Sequence, residues 1–152
     1  MFQLWNRSRP LRGGAVALVV DGEATFRHFA MRALRGLGRN VVGVRDAEDA
    51  LAWLDTNLAP AIVTLDTTLP RMDGFRLCAR IRAHRDASAV PILCTSSSRD
   101  LDAHIHALQM GADAFLTKPI LPELFHQHAT RLLRAGSHRK DAMSGWINER
   151  GM

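Results

Sequence analysis

What the 152-residue sequence lacks narrows its class before any motif is considered. No apolar run approaches the roughly 18 residues that a bilayer-spanning helix needs, and the opening MFQLWNRSRPLRGG has no continuous apolar stretch of the signal-peptide kind. The expected compartment is therefore the cytoplasm, with no membrane span. Cysteine is scarce: Cys78 and Cys94 stand far apart in apolar runs, which reads as two buried thiols in a reducing compartment, neither a metal pair nor a bridge. Lysine is scarcer than arginine, with 18 Arg among the 20 basic residues and Lys118 as the only lysine between 15 and 130. A lone lysine in an arginine-rich chain hints at a chemical use for the ammonium.

What is present fits one globular domain of ordinary size. Hydrophobic residues make up 47% and charged ones 23%, which excludes both a disordered tail and a disulfide scaffold. The formal charge is +5, but the excess lies in the ends: Arg7, Arg9 and Arg12 at the start, and Arg131, Arg134, Arg139, Lys140 and Arg150 against Asp141 and Glu149 at the other end. Residues 15–130 carry 12 basic and 13 acidic groups. Basic ends attract anionic surfaces, yet the short stretch after residue 135 is too little chain for a helix-turn-helix or basic-region module, so no DNA-binding domain is expected. The expected division is a basic extension over 1–14, a folded domain over 15–135 and a short basic tail over 136–152.

Along the chain, short apolar runs alternate with amphipathic stretches. AVALVV (15–20) is valine-rich and too short for a helix, so it reads as a strand buried on both faces. Phe26, Phe29, Ala30, Ala33, Leu34 and Leu37 then recur at helical spacing, with Gly36 or Gly38 to end the helix. VVGV (41–44) precedes a helix with Ala47, Ala50, Leu51 and Leu54 that Asp46 can cap. AIVTL (61–65) leads through a loop to a helix with Leu77, Cys78 and Ile81, and PILC (91–94) to one with Leu101, Ile105 and Leu108, closed by Gly111. AFLT (114–117) leads to a last helix, with Pro122 in its first turn and Leu124, Phe125, His128, Ala129 and Leu132 as its buried stripe. Five strands alternating with five helices imply right-handed crossovers and a doubly wound α/β fold, a parallel sheet with helices on both faces.

In such sheets the site lies beyond the carboxyl ends of the strands, and the unusual residues stand there: Asp21, Asp66, Thr95 and Lys118. Two converging carboxylates repel each other unless a cation sits beside them, and a divalent metal or the Lys118 ammonium can supply that charge. Hard oxygen donors with no Cys or His beside them favour Mg2+ over zinc. The Thr95 hydroxyl and Lys118 ammonium are what the oxygens of a phosphorylated carboxylate need, so the set suggests an aspartyl phosphate on Asp66. Helix caps and solvated loops remain the plainer reading of the same residues.

VVDGE (19–23), LDTTLPRMDG (65–74), ILCTSSS (92–98) and GADAFLTKPI (111–120) together resemble the signature blocks of bacterial response-regulator receiver domains, the CheY-like family of two-component signalling. The resemblance spans about Ala15 to Leu133 and implies a flavodoxin-like fold; with no output domain expected after residue 135, the expectation is a stand-alone, single-domain regulator. It implies that Asp66 accepts a phosphoryl group from a sensor histidine kinase or phosphotransfer protein, with Lys118 on a phosphoryl oxygen. Thr95 would be the switch hydroxyl and Phe115 the aromatic that follows it, while Ser96 leaves the phosphate reachable. Mg2+ would be held by Asp21, Asp66 and the Thr68 carbonyl, and the Lys118–Pro119 peptide would be cis. Thr68 and Ser97 occupy the two variable positions that tune loss of the phosphate to water. The implied activity is confined to the protein's own phosphorylation and dephosphorylation, and its output is a contact with a downstream protein, with a homodimer as a further candidate partner.

One residue departs from the family pattern. Relatives have two adjacent acids after the first strand, and here the second is Gly22, which weakens the Mg2+ site unless water, Asp21 or Glu23 compensates. This keeps open an alternative, a receiver acting as a phosphate-independent protein interaction module. Other readings fare worse. His104 and His106 are two apart on an expected helix and cannot chelate one ion, and His126 and His128 fail likewise. A haloacid-dehalogenase-type phosphatase wants a second Asp where Thr68 stands, and a flavodoxin-like cofactor binder using TSSS (95–98) has no need of Asp21, Asp66 and Lys118.

Overall fold

The computed structural model describes residues 16–150, and the side chains of residues 16–136. The expected N-terminal extension lies outside the described residues. In chain order the elements are β1 (Val16–Val20), α1 (Ala24–Gly36), β2 (Asn40–Val44), α2 (Ala47–Thr56), β3 (Ile62–Asp66), α3 (Gly74–Arg82), β4 (Ile92–Ser96), α4 (Leu101–Gln109), β5 (Ala114–Thr117) and α5 (Pro122–Arg150). All pairings are parallel, in the order β2-β1-β3-β4-β5. The doubly wound fold expected from the strand–helix alternation is therefore the observed one, and the order reverses between β1 and β3.

Alternation along the strands divides the core into two layers. Leu18, Val20, Val63, Leu65, Ile92 and Cys94 face α2, α3 and α4, where Trp53, Leu77, Ile81 and Ala107 meet them. Ala17, Val19, Ile62 and Leu93 face α1 and α5, against Leu34, Phe125 and Leu132. β1, β3 and β4 are buried along their whole length, which is why they read as unbroken apolar runs. Each fully buried Val or Leu side chain contributes about 1.5–3 kcal/mol relative to exposure.

Local signals place the helix ends. Asp46, Asp73 and Asp100 each precede a helix and accept a backbone N–H of its first turn with a carboxylate oxygen. Gly38 and Gly111 have φ of +81° and +109°, the left-handed conformation that closes α1 and α4; Gly36 stays helical.

One expected apolar stripe is not where helical spacing put it, and a second differs at two positions. On α4, Leu101, Ile105 and Leu108 are exposed, while Ala107 is buried and Ala103 and Met110 pack against the core. Both faces of this helix are apolar, so periodicity could not choose between them. On α5, Leu124 is exposed and His128 only half-buried, whereas Phe125, Ala129 and Leu132 are buried as expected. The segment read as a tail from residue 136 continues α5 as far as Arg150. Gly136 is buried, and a Cβ there would lie 2.8 Å from Pro91 Cγ, so the helix packs closely past the expected boundary.

Candidate functional site

The carboxyl ends of β1, β3, β4 and β5 bring four of the expected residues to one edge. Asp21 follows β1, Asp66 ends β3 and is paired in register with Thr95 of β4, and Lys118 follows β5. Lys118 Nζ donates to Asp21 Oδ2 at 2.9 Å and also to Asp66 Oδ2. Asp21, Asp66 and Thr95 are 2%, 6% and 1% exposed, so the ion-pair cluster is screened from water on most sides.

Backbone contacts fix these side chains. The Thr68 N–H donates to Asp66 Oδ1 at 2.6 Å and the Glu23 N–H to Asp21 Oδ1 at 2.8 Å. Each carboxylate thus has one oxygen on a backbone donor and the other on Lys118. Lys118 is placed in turn by its own N–H, which donates to the Ser96 carbonyl at 2.7 Å, and the Lys118–Pro119 peptide is cis, as the resemblance implied.

One ammonium serves two buried carboxylates, and the proton affinities reflect it. Burial pushes the Asp21 carboxyl above the usual carboxylate range, against the pull of Lys118 and the Glu23 N–H. For Lys118, burial disfavours the charge, but hydrogen bonds to Asp66 and Asp21 outweigh it and hold the ammonium above the ordinary lysine value.

The cluster carries a formal charge of one negative, which suits a hard divalent cation with water and carbonyl oxygens completing its shell. Asp21 and Asp66 are the carboxylates at this edge, and among the described residues no group of three or more His, Cys, Asp and Glu could hold an ion. Gly22 accounts for the missing third carboxylate. It is exposed, and a Cβ there would meet Pro70 Cδ at 3.4 Å and the Arg45 carbonyl at 3.6 Å, ordinary contacts that leave room for a side chain. Glu23 is exposed and heads α1 without a side-chain cap bond.

The other expected residues surround this edge. The Thr95 carbonyl accepts the Thr67 N–H at 2.9 Å. Ser96 is buried, and its hydroxyl accepts the Ser98 N–H at 3.0 Å. Thr68 and Ser97 are both exposed. Phe115 is buried in the layer beneath α4, with His104 stacked on it at 4.8 Å between centroids. His106 packs on Phe75 instead, at 4.5 Å, as two histidines on opposite sides of one helix must. Cys78 and Cys94 are free and buried in the same apolar layer, where Cys78 Sγ donates to the Met110 carbonyl at 3.4 Å; the neighbouring thiol lowers the proton affinity of Cys78 and, with burial, raises that of Cys94.

Sequence reasoning missed three residues of this edge. Phe26, assigned only to the apolar stripe of α1, lies under the Lys118 ammonium at 4.1 Å from the ring centroid. Arg27 Nη1 donates to the Asp21 carbonyl at 2.8 Å. Gly74 packs on the Asp66 carbonyl so closely that a Cβ would lie 2.6 Å from Thr67 Cα. The available signal was position: Phe26 and Arg27 lie within six residues of Asp21, on the first turn of the helix that the site opens.

Comparison with known proteins agrees with the fold. Residues 17–130 match the response regulator receiver domain family. A probable transcriptional regulator, ycf27, of Porphyridium aerugineum is 32% identical over 135 residues, covering 86% of this chain and 55% of its own. Protein PilG of Pseudomonas aeruginosa is 33% identical over 111 residues, 72% of this chain and 81% of its own. The crystal structure of a putative response regulator from Chloroflexus aurantiacus superposes with a TM-score of 0.75 at 31% identity, covering 80% of this chain and 98% of that one. The chain spans about half the length of the ycf27 regulators it matches. With its family model matched across most of its length, the chain belongs to the response regulator receiver domains of two-component signalling.

Proposed function

We propose that this chain is a phosphorylation-dependent switch in which Asp66 accepts a phosphoryl group from a histidine kinase or phosphotransfer protein. The observation that carries the reading is the bridge of Lys118 to both Asp66 and Asp21 inside a buried edge. In the transfer, an Asp66 carboxylate oxygen forms a bond to phosphorus as the bond from phosphorus to the donor nitrogen breaks. Lys118 balances charge on the transferring group and exchanges its hydrogen bond with Asp66 for one with a phosphoryl oxygen. Asp21, Asp66 and the Thr68 carbonyl would hold Mg2+, which supplies positive charge for the phosphoryl oxygens. Thr95, beside Asp66 in the sheet, turns its hydroxyl towards the phosphate, and Phe115 follows under α4. Exposed Thr68 and Ser97 flank the approach of the water that later removes the phosphate. The change in Phe115 alters the surface of α4, β5 and α5, and a partner that binds the two states unequally reads it.

An interaction module that needs no phosphate is the second reading, and Gly22 is the observation that favours it, since a carboxylate is absent from the metal edge. Incubation with acetyl phosphate and Mg2+, followed by intact-protein mass measurement, separates the two. The switch reading expects one phosphate per chain and none on Asp66→Asn, whose far-ultraviolet spectrum stays native. An unmodified parent chain, or a modified Asp66→Asn, refutes it.

A further inference from the structure

We propose that Phe26 is a positioning residue for Lys118, its ring face holding the ammonium in line with Asp66; this rests on the reading of Asp66 as the phosphoryl acceptor. An ammonium has three N–H donors. Two go to Asp66 and Asp21, and the Phe26 ring, 4.1 Å from Nζ, stands against the same ammonium. The negative face of an aromatic ring attracts a cation most where water is excluded, and the Lys118 side chain is only 10% exposed.

The ring is itself held. Phe26 packs on Phe29 at 5.4 Å between centroids, and Phe29 meets Phe125 edge-on at 5.6 Å. Phe125 is fully buried in α5. This run of three rings ties the floor under Lys118 to the α1–α5 layer, and the Arg27 bond to the Asp21 carbonyl fixes the same turn of α1 to the end of β1. A preorganised partner of this kind spares the side-chain reorganisation that a flexible one would need.

The contact suits the step in which Lys118 acts. When phosphorus moves from its donor oxygen or nitrogen to an Asp66 oxygen, the Lys118 hydrogen bond to Asp66 must pass to a phosphoryl oxygen. Hydrogen bonds are directional, whereas attraction to a ring face tolerates rotation of the ammonium. Phe26 therefore keeps Nζ in place while its hydrogen bonds change partner. It also faces the ammonium without adding net charge, at an edge where Gly22 has already removed a carboxylate.

Two measurements test the proposal. The first follows phosphorylation by acetyl phosphate with Mg2+, in which the carboxyl–phosphate bond of the donor breaks and acetate leaves. Phe26→Leu keeps an apolar side chain of similar reach; it should lower the saturating rate constant about tenfold, with the half-saturating acetyl phosphate concentration unchanged. Phe26→Trp, with a stronger ring face, should stay within about twofold of the parent. Equal losses in both variants, or none in Phe26→Leu, would reduce Phe26 to a packing residue.

The second measurement needs no phosphorylation. Lys118 and Lys140 are the only lysines in the sequence, so carbon-13 lysine labelling gives two sets of ε-methylene signals, assigned by Lys140→Arg. The Lys118 signal should lie upfield of that of Lys140 because of the ring, and should move towards it in Phe26→Leu. A Lys118 signal that Phe26→Leu leaves unmoved overturns the placement. If instead the ring shift is present but the parent chain takes no phosphate, it is the switch reading that fails.

Discussion

Replacing Gly22 by Asp should convert a weak metal edge into a strong one. The backbone admits the change, since Gly22 has no left-handed conformation and a Cβ there meets nothing nearer than Pro70 Cδ at 3.4 Å. The electrostatic magnitude follows from the charges already present. Asp21, Asp66 and Lys118 sum to one negative charge, and a second doubles it. A unit charge about 4 Å from a divalent ion is worth about 2 kcal/mol at the dielectric of water. That limit is the appropriate one because residue 22 is exposed. About 2 kcal/mol is roughly a thirtyfold gain in Mg2+ affinity. Without the ion the sign reverses: the added carboxylate faces a like charge, at a cost of about 0.5–1 kcal/mol. Calorimetric titration of the parent chain and the variant with Mg2+ measures the affinity gain. Thermal unfolding should place Gly22→Asp about 2 °C below the parent without Mg2+ and above it at saturating Mg2+. Affinities within twofold of each other, or a variant equally shifted with and without the ion, would refute the claim that residue 22 faces the metal edge.

Other perturbations report on the frame of the site. Arg82 donates to the Gly111 carbonyl at 2.8 Å, to the Ser88 and Val90 carbonyls and to Asp113 at 2.8 Å, with 21% of its side chain exposed. Arg82→Ala should cost about 3 kcal/mol, the low end for a broken buried pair because part of it is wet, and lower the melting temperature by about 10 °C. Arg71 sits at φ +66° between Pro70 and Met72, and its contacts to Asp46 at 3.7 Å and Glu48 at 3.4 Å are made by a side chain 70% exposed. Those pairs are worth little, so Arg71→Gly should raise the urea midpoint by relieving the backbone, a net gain of about 0.5 kcal/mol. Gly74→Ala forces the loop off the Asp66 carbonyl. It should cost about 3 kcal/mol and abolish binding of beryllofluoride, an aspartyl-phosphate mimic, in an amide NMR titration run below the new melting temperature.

Much of the fold is legible because strands buried on both faces must be apolar throughout. Val16–Val20, Ile62–Asp66 and Ile92–Ser96 announce themselves, and each ends in or just before a polar residue that terminates the run at the site. Asp46 marks one helix start in the sequence because a short carboxylate satisfies the free N–H groups there, and the structure adds Asp73 and Asp100 in the same role. The orientation of α4 is not legible in the same way. Leu101, Ile105 and Leu108 form one apolar face, and Ala103, Ala107 and Met110 another. The face with Ala103 and Ala107 is the one that packs on the layer holding Phe115, and His104 of the same helix stacks on the Phe115 ring. Cys78 and Cys94 likewise give no sign in the sequence that a helix and a strand will bury them in one apolar layer.

The sequence alone determined the alternation of strands and helices, the edge on which polar groups collect and the identity of Asp21, Asp66, Thr95 and Lys118. Those features follow from periodicity and from the rule that buried strands end where charge begins, both local in the chain. The tertiary structure decided how the charges pair, with one ammonium shared by two carboxylates 45 positions apart. It also decided that the ring of Phe26 lies under that ammonium, held through Phe29 and Phe125. These are contacts between side chains from different elements, and their distances depend on how α1 and α5 pack on the sheet, a balance of many weak contacts that no local pattern encodes.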